Sequence, residues 1–286
     1  MSELPPLPKC VHFSHEAMNT TYHLRFPGQD AKHLHDVSRF CFEELDRLES
    51  QLSRFVEDSD VSRINSMRSG DSLFVSEACY ECLRRSLELH QQTGGLFDIT
   101  LGAQIEHVKS GEEGAAPPIE GSLIIAPDRP FIECQSPGRQ IDFGGIGKGF
   151  ALDRLHRILI DWEIESALIS AGASTQLAHG PVAWPVDLTG DHASIRIGLK
   201  QAALSASGIG IQGSHIVHPD GDLRTDEAWP FTRVWLIDPS ATAADAWSTA
   251  IMLMTPEQIR ELGNDQPDSL YVEDAAGIRA WSEVGQ

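Results

Sequence analysis

Apolar residues at Ala31, Leu34, Val37, Phe40, Leu45, Leu48, Leu52 and Phe55 recur at helical spacing, which predicts one long helix with a buried face. Glu43, Glu44, Asp46, Arg47, Glu49 and Arg54 fall on its other side. Ser76 is a predicted cap for a second helix, which carries Cys79, Cys82, Leu83 and Leu87 and stops at Gly94-Gly95. A third helix, with Leu155, Ile158, Leu159 and Trp162 on one side, follows the turn FGGIGKG. Ala243 to Met254 reads as a fourth. Thr255-Pro-Glu-Gln258 has the cap, first-position proline and capping box that open a fifth.

Strand signals are β-branched or aromatic runs between turn residues. They fall at 19–26, after an irregular proline-rich lead, and in a short strand ending at Ile141 and Asp142. They recur at 166–170, 183–188, 194–199, 202–206, 232–237, 269–273 and 277–282, the last two forming a hairpin about Ala275-Ala276. Strands in succession argue for an α+β fold with mixed or antiparallel sheets and packed helices, not for repeated βαβ winding. The stretch 108–122 has the composition of a loop and is the best internal linker, without marking a domain boundary. One domain over 1–286, with a lead at 1–15, is the expectation.

Hydrophobic residues make up 41% and charged residues 22%, values of a folded globular chain. A net charge of -20 argues against a broad grip on nucleic acid or anionic lipid, which requires clustered cations. A nucleotide's phosphates would therefore be neutralised locally, by backbone N–H groups, a particular cation or a metal. No long apolar run or signal-like start is present, and the five cysteines read as reduced thiols, so the expected compartment is the cytoplasm. Cys79-x-x-Cys82 lies in a helical pattern and reads as packing.

Three constellations carry candidate chemistry. Asp142-Phe-Gly-Gly-Ile-Gly-Lys148-Gly149 sits between a strand and a helix, where glycines let backbone approach an anion and Lys148 adds a charge. It is neither a Walker A loop nor the G-x-G-x-x-G turn, and taken alone it is equally a tight packed turn. In Asp245-Ala-Trp-Ser248-Thr249, a carboxylate and a hydroxyl four apart share a helix face beside Ser248, an oxygen set suited to Mg²⁺. Its plainer reading is a dipole-compensating Asp245 with Thr249 bonding back to its own helix. Gly213-Ser-His215-Ile-Val-His218 places an imidazole in a glycine-rich connection, as a general base or simply as a surface histidine.

The order of these blocks resembles the ApbE family, the Mg-dependent FAD:protein FMN transferases. Met18-Asn-Thr-Thr-Tyr22 is similar to M-G-T-x-Y, Gly95-Leu-Phe-Asp98-Ile-Thr100 to G-A-F-D-x-T, and Ile141 to Asp153 to L-D-L-G-G-I-A-K-G-Y-A-x-D. The stretch from Ser53 to Asn65 resembles the family's serine- and asparagine-containing block, and Ala171-Gly172 stands where A-G-G-D begins. Leu204 to Gly208, His215-Ile-Val and Asp245 to Ala250 match v-A-T-S-G, H-I-I-D-P and D-A-L-S-T-A. The resemblance spans about residues 18–250.

It implies a T-fold-like architecture with a flavin cleft between two lobes, FAD as substrate and Mg²⁺ as cofactor. FAD contacts carried over residue by residue fall at Met18, Phe55, Leu96, Phe97, Asp98, Phe150 and Ile216, and the metal ligands at the Gly147 carbonyl, Asp245 and Thr249, with Ser248 close by. The implied reaction moves FMN from FAD to a threonine hydroxyl of an acceptor flavoprotein, releasing AMP, with His215 drawing off the threonine proton and Asp245 serving catalysis through the metal. Departures are visible: Gly172-Ala173-Ser174 stands for G-G-D, His218 for the aspartate of H-I-I-D-P, and Phe55 for a tyrosine. The region after Thr100 is abbreviated and the turn Pro219-Asp220-Gly221 is short. A non-transferring FAD carrier and an FAD pyrophosphatase stay open beside the transferase.

Overall fold

In the computed structural model the described residues are 9–28, 31–111, 114–191, 193–208, 217–219, 230–262 and 269–284. The chain opens with a hairpin of β1 (Cys10–Ala17) and β2 (Thr20–Pro27). The lead expected to be irregular is thus a strand from Cys10, whose alternation puts Val11 and Phe13 toward the core. The two-residue turn, Met18 and Asn19, has φ of 51° and 57°, the left-handed pair that a tight hairpin demands. Asn19 occupies the place of the family pattern's glycine, and asparagine is the side chain that best tolerates this conformation.

Helix α1 (Ala31–Leu52) ends before Phe55, three residues earlier than its apolar spacing suggests. Beyond it the chain turns into α2 (Asp60–Asn65), a helix not foreseen, where Ser59 caps the Ser62 N–H and also donates to the Ser53 carbonyl at 2.6 Å. Next come β3 (Ser72–Phe74), α3 (Glu77–Gln92) with its expected Ser76 cap, and α4 (Gly102–Ser110), which runs into the stretch predicted as linker. Gly111, at φ 67°, stops α4, so the loop begins there. β4 (Ser122–Ile125) and β5 (Phe131–Ser136) complete a small antiparallel sheet in the order β3-β5-β4, which sequence patterning missed.

The strand expected to end at Ile141 and Asp142 does not form. A side-chain amide replaces the missing ladder: Asn65 donates to the Ile141 carbonyl at 3.0 Å and accepts from its N–H at 2.7 Å. The Asp142 N–H is taken by the Ile99 carbonyl at 2.8 Å. The segment therefore enters α5 (Gly147–Asp161) held by loops instead of a sheet.

The main sheet contains β1, β2, β6 (Ala167–Ala171), β7 (Thr175–His179), β10 (Ala202–Gly208), β11 (Arg233–Asp238), β12 (Ser269–Asp274) and β13 (Gly277–Ala280), neighbours in that order. β7 was not foreseen. Each pairing among these described strands is antiparallel, which settles the choice between mixed and antiparallel sheets. β8 (Trp184–Thr189) and β9 (Ser194–Leu199) form a separate hairpin.

Period-two alternation sends the central strands' side chains to two different cores. Ile169, Leu177, Ala203 and Leu236 join the larger core with α1, α5 and α6 (Ala241–Leu253). Their neighbours Leu168, Ala178, Leu204 and Trp235 pack beneath Trp184, Val186 and Leu188 of the β8–β9 hairpin. Burial on both faces explains why β6 carries Ala167, Leu168 and Ile169 in succession instead of alternating with polar residues. α7 (Pro256–Glu261) has the predicted capping box, and Cys79 and Cys82 are buried free thiols, as a packing role requires.

His156 of α5 and His179 of β7 form a hydrogen-bonded pair at 3.0 Å. The other ring nitrogen of His179 lies 2.6 Å from the Ile164 carbonyl, so it must donate there and accept from His156. Burial, with the neighbouring His179 second, holds the His156 pKa below its ordinary value, and burial lowers His23 too. The unfolded chain thus binds more protons, so stability is lost as pH falls through the ordinary histidine range, about 6.5, toward the lower folded value. Denaturant midpoints taken from pH 7.5 to 5.5 are expected to fall, and His156→Gln is expected to flatten that slope; an unchanged slope would exclude the pair as its source.

Candidate functional site

The site is organised where α5 crosses α6. Gly149 and Asp153 lie four apart on α5 and therefore on one face, which meets α6. A Cβ at Gly149 would stand 2.1 Å from the Ala241 carbonyl oxygen, so only glycine permits the approach. Asp153 caps the start of α6 from outside: its carboxylate accepts from the N–H groups of Ala241 and Thr242, both at 2.9 Å, and from the hydroxyls of Ser240 and Thr242 at 2.8 and 2.6 Å. A negative charge there also complements the positive end of the helix dipole.

One turn further along α6, Asp245 is buried at 3% exposure. Its Oδ2 accepts from the Gly149 N–H at 3.0 Å and its Oδ1 from the Ser205 hydroxyl at 2.9 Å. Ser205 of β10 stands opposite Thr175 of β7 in the ladder, their hydroxyl oxygens 3.2 Å apart. Ser207, two residues on and thus on the same strand face, lies 2.9 Å from the Ser248 hydroxyl and 3.3 Å from that of Thr249. Both Ser248 and Thr249 donate to the Asp245 carbonyl, at 3.0 and 3.2 Å, so the self-bonding expected of Thr249 does occur.

Beside this network opens a cleft that is partly open to solvent. The segment Leu96-Phe97-Asp98, the α4 stripe of Leu101 and Ile105, and Val217 and Leu253 supply its apolar walls and rim, while Gly144, Gly145 and Lys148 bring the glycine bend. A Cβ on Gly145 would lie 3.3 Å from the Phe97 ring and 3.5 Å from the Thr249 hydroxyl, which measures how closely bend, ring and late helix converge.

Of the residues selected from sequence, Leu96, Phe97, Asp98, Asp142, Lys148, Asp245 and Thr249 line this one cleft. Asp142 shapes it: one oxygen accepts from the Gly144 N–H at 2.6 Å, and the other meets the Arg54 guanidinium at 3.1 Å. Gly147 starts α5 next to Met18, whose Cε lies 3.2 Å from the position a Gly147 Cβ would take. Phe150 points into the core, 3% exposed, and the fully buried Ser248 side chain lies behind the cleft wall. Phe55 stands apart at 74% exposure, with the Arg54 guanidinium 5.3 Å from its ring centre. His215 and Ile216 lie outside the described residues; the adjoining Val217 reaches the cleft.

Sequence reasoning passed over Asp153, Thr175, Ser205 and Ser207 as functional side chains. The signals were present: a Gly-x-x-x-Asp helix face, and a strand alternating Ala203, Ser205, Ser207 where the core-facing positions should be apolar.

A sequence model of the ApbE family matches residues 18–272, most of the chain. The chain belongs to the ApbE family. The FAD:protein FMN transferase of Escherichia coli (strain K12) is 24% identical over 291 aligned positions, covering 90% of this chain and 82% of that protein. The FAD:protein FMN transferase of Treponema pallidum (strain Nichols) is 24% identical, covering 89% and 82%. Among solved structures, the flavin transferase ApbE from Vibrio cholerae superposes with a TM-score of 0.78 at 22% identity over 95% of this chain and 96% of that one. The apo form of Pseudomonas stutzeri flavinyl transferase ApbE gives 0.79 at 22% identity, over 95% and 94%. These likenesses show that the α+β fold is the ApbE fold.

The donor chemistry of this ApbE-family cleft fits a hard divalent cation. Asp245 is a buried carboxylate whose partners are neutral N–H and O–H donors, a situation that a bound cation relieves. Its two oxygens keep unused lone pairs, and the Thr249 hydroxyl lies one turn along α6, bonded to the Asp245 backbone carbonyl. A site of one carboxylate and few other protein ligands suits Mg²⁺, which retains water and takes substrate phosphate oxygens.

Two substitutions separate the scaffold from the chemistry. Gly149→Ala is expected to cost at least about 2 kcal/mol through overpacking against α6. Asp153→Ala, which strands the buried N–H groups of Ala241 and Thr242, is expected to cost about 2 kcal/mol. Urea unfolding midpoints measure both; wild-type stability in either variant would contradict the crossing described.

Proposed function

We propose that this protein is a cytoplasmic, Mg²⁺-dependent FAD:protein FMN transferase that moves FMN from FAD to a threonine hydroxyl of an acceptor flavoprotein and releases AMP. One observation carries the reading: a single cleft holds an apolar wall, a glycine bend with a lysine, and a buried carboxylate without a cationic partner. That is the set a flavin diphosphate requires, and the family supplies the reaction. The five free cysteines support a reducing compartment, and among the described residues no helix is long and apolar enough to cross a membrane.

In this reading Leu96, Phe97 and Val217 take the apolar ring system, while Asp98 and Met18 bound it. Lys148 and the backbone at Gly145 meet the diphosphate, with Asp142 and Arg54 holding the bend in shape. Asp245, Thr249 and the Gly147 carbonyl would hold the metal, with Ser207 bonded to both Ser248 and Thr249 behind them. A cation held by these groups would supply charge that offsets the phosphates and the departing AMP. The threonine oxygen forms a bond to the FMN phosphorus as the bond to the AMP oxygen breaks, and the threonine proton passes to His215.

Purified protein incubated with FAD, Mg²⁺ and a protein carrying a family-type acceptor threonine is expected to give a covalently flavinylated product and AMP. Free FMN with AMP would indicate hydrolysis, and retained intact FAD would indicate carriage; either outcome overturns transfer. Asp245→Asn is expected to lower the metal-dependent rate at least about a hundredfold while the protein stays folded. Unchanged Mg²⁺ dependence in that variant would remove Asp245 from the metal site.

A further inference from the structure

Lys109 has no part in the roles assigned above, yet it lines the same cleft. Leu101, Ile105 and Lys109 stand four residues apart along α4, so they form one stripe, apolar at its start and cationic at its end. The start is anchored: the Gly102 N–H donates to the Gln140 carbonyl at 2.9 Å, and Arg54 donates to the Gly102 carbonyl at 2.8 Å. From that anchor the helix carries Lys109 roughly 12 Å along the cleft wall from Leu101, toward its rim.

Asp98, Asp142 and Asp245 line the cleft, and the cations facing them are Lys109 and Lys148. Arg54 is committed to Asp142 and Glu106, and other arginines, such as Arg47, Arg154 and Arg157, are tied to carboxylates. Among the described residues neither Lys109 nor Lys148 pairs with a carboxylate. In a chain of net charge -20, two lysines without such partners converging on one cleft define a local site for an anion with more than one charged group. Lys148 and backbone meet the diphosphate at the glycine bend, and Lys109 adds a positive charge from the α4 wall of the same cleft.

We propose that Lys109 is a specificity-determining residue, a second phosphate-binding cation that makes the cleft prefer a flavin dinucleotide to a flavin mononucleotide or an uncharged flavin. The assignment rests on the transferase reading and deepens it by naming what selects the diphosphate. A lysine in the last turn of a helix suits a ligand whose second phosphate must later depart with AMP, because its flexible stem follows the charge without a fixed bidentate geometry.

The test is equilibrium binding of FAD, FMN and riboflavin to the full chain, read by flavin fluorescence, for wild type, Lys109→Met and Lys109→Arg. Lys109→Met is expected to weaken FAD about fivefold, FMN less than about twofold and riboflavin not at all, as loss of one exposed charge contact implies. Lys109→Arg is expected to restore most of the FAD affinity, and about 0.5 M salt to erase the difference between wild type and Lys109→Met. Equal losses for all three ligands would mark a merely structural residue, and unchanged FAD affinity in Lys109→Met would overturn the assignment while leaving the transferase reading intact. Wild-type protein that binds none of the three would overturn both.

Discussion

The close approach of α5 to α6 is the constraint on which the site depends. Gly149 lacks the atom that would collide with the Ala241 carbonyl, and Asp153, one turn along, gathers the free N–H groups at the head of α6. These two contacts fix both the separation and the rotation of α6. Asp245 then falls where the Gly149 N–H meets its carboxylate, and Thr249 falls one turn further on the same side. The helix bearing Asp245 and Thr249 and the helix following the glycine bend are thus a single mechanical unit. A ligand touching one is in register with the other.

The sheet completes that unit by an exception to its own pattern. β10 turns Ala203 into the larger core, but Ser205 and Ser207, on the same face, present hydroxyls to α6. With Thr175 across the ladder they give Asp245, Ser248 and Thr249 hydrogen-bond partners deep inside the protein, where unpaired oxygens would be costly. Hydroxyls suit the purpose because each can both donate and accept, so the network can reorient when a cation approaches.

Helices and repeated strands were legible because their patterns are local. The cap at Ser76, the capping box at Thr255 and the alternation of β9 to β12 each lie within a few residues of sequence. What escaped depends on distant partners. The stretch before Asp142 reads as a strand, yet its hydrogen bonds go to the side chain of Asn65, which no periodicity reveals. β7 is only five residues long, and α4 hid in a stretch whose later half has loop composition. The site was legible as motif order more than as geometry. Asp245 and Thr249 declared themselves by helix spacing, whereas Asp153 acts on backbone groups nearly ninety positions away. Phe150 and Ser248 sit within matched motifs, but their side chains serve packing and support.

Charge connects the site to the whole molecule. A strongly acidic protein that takes a dianionic ligand must concentrate its cations, and here the cleft's carboxylates are managed one by one. Arg54 neutralises Asp142, and the Thr100 N–H holds Asp98 at 2.7 Å. Ser174, buried at the cleft edge where the family pattern carries an aspartate, contributes a neutral hydroxyl. That leaves Asp245 as the buried cleft carboxylate answered by neutral donors alone. Because attraction to a cation strengthens in low dielectric, one such carboxylate, backed by hydroxyls, suits a divalent ion while adding little negative charge to the cleft. With Ser174 where the family pattern carries an aspartate, the cleft is less negative, and Asp245 on α6 stands as its buried carboxylate.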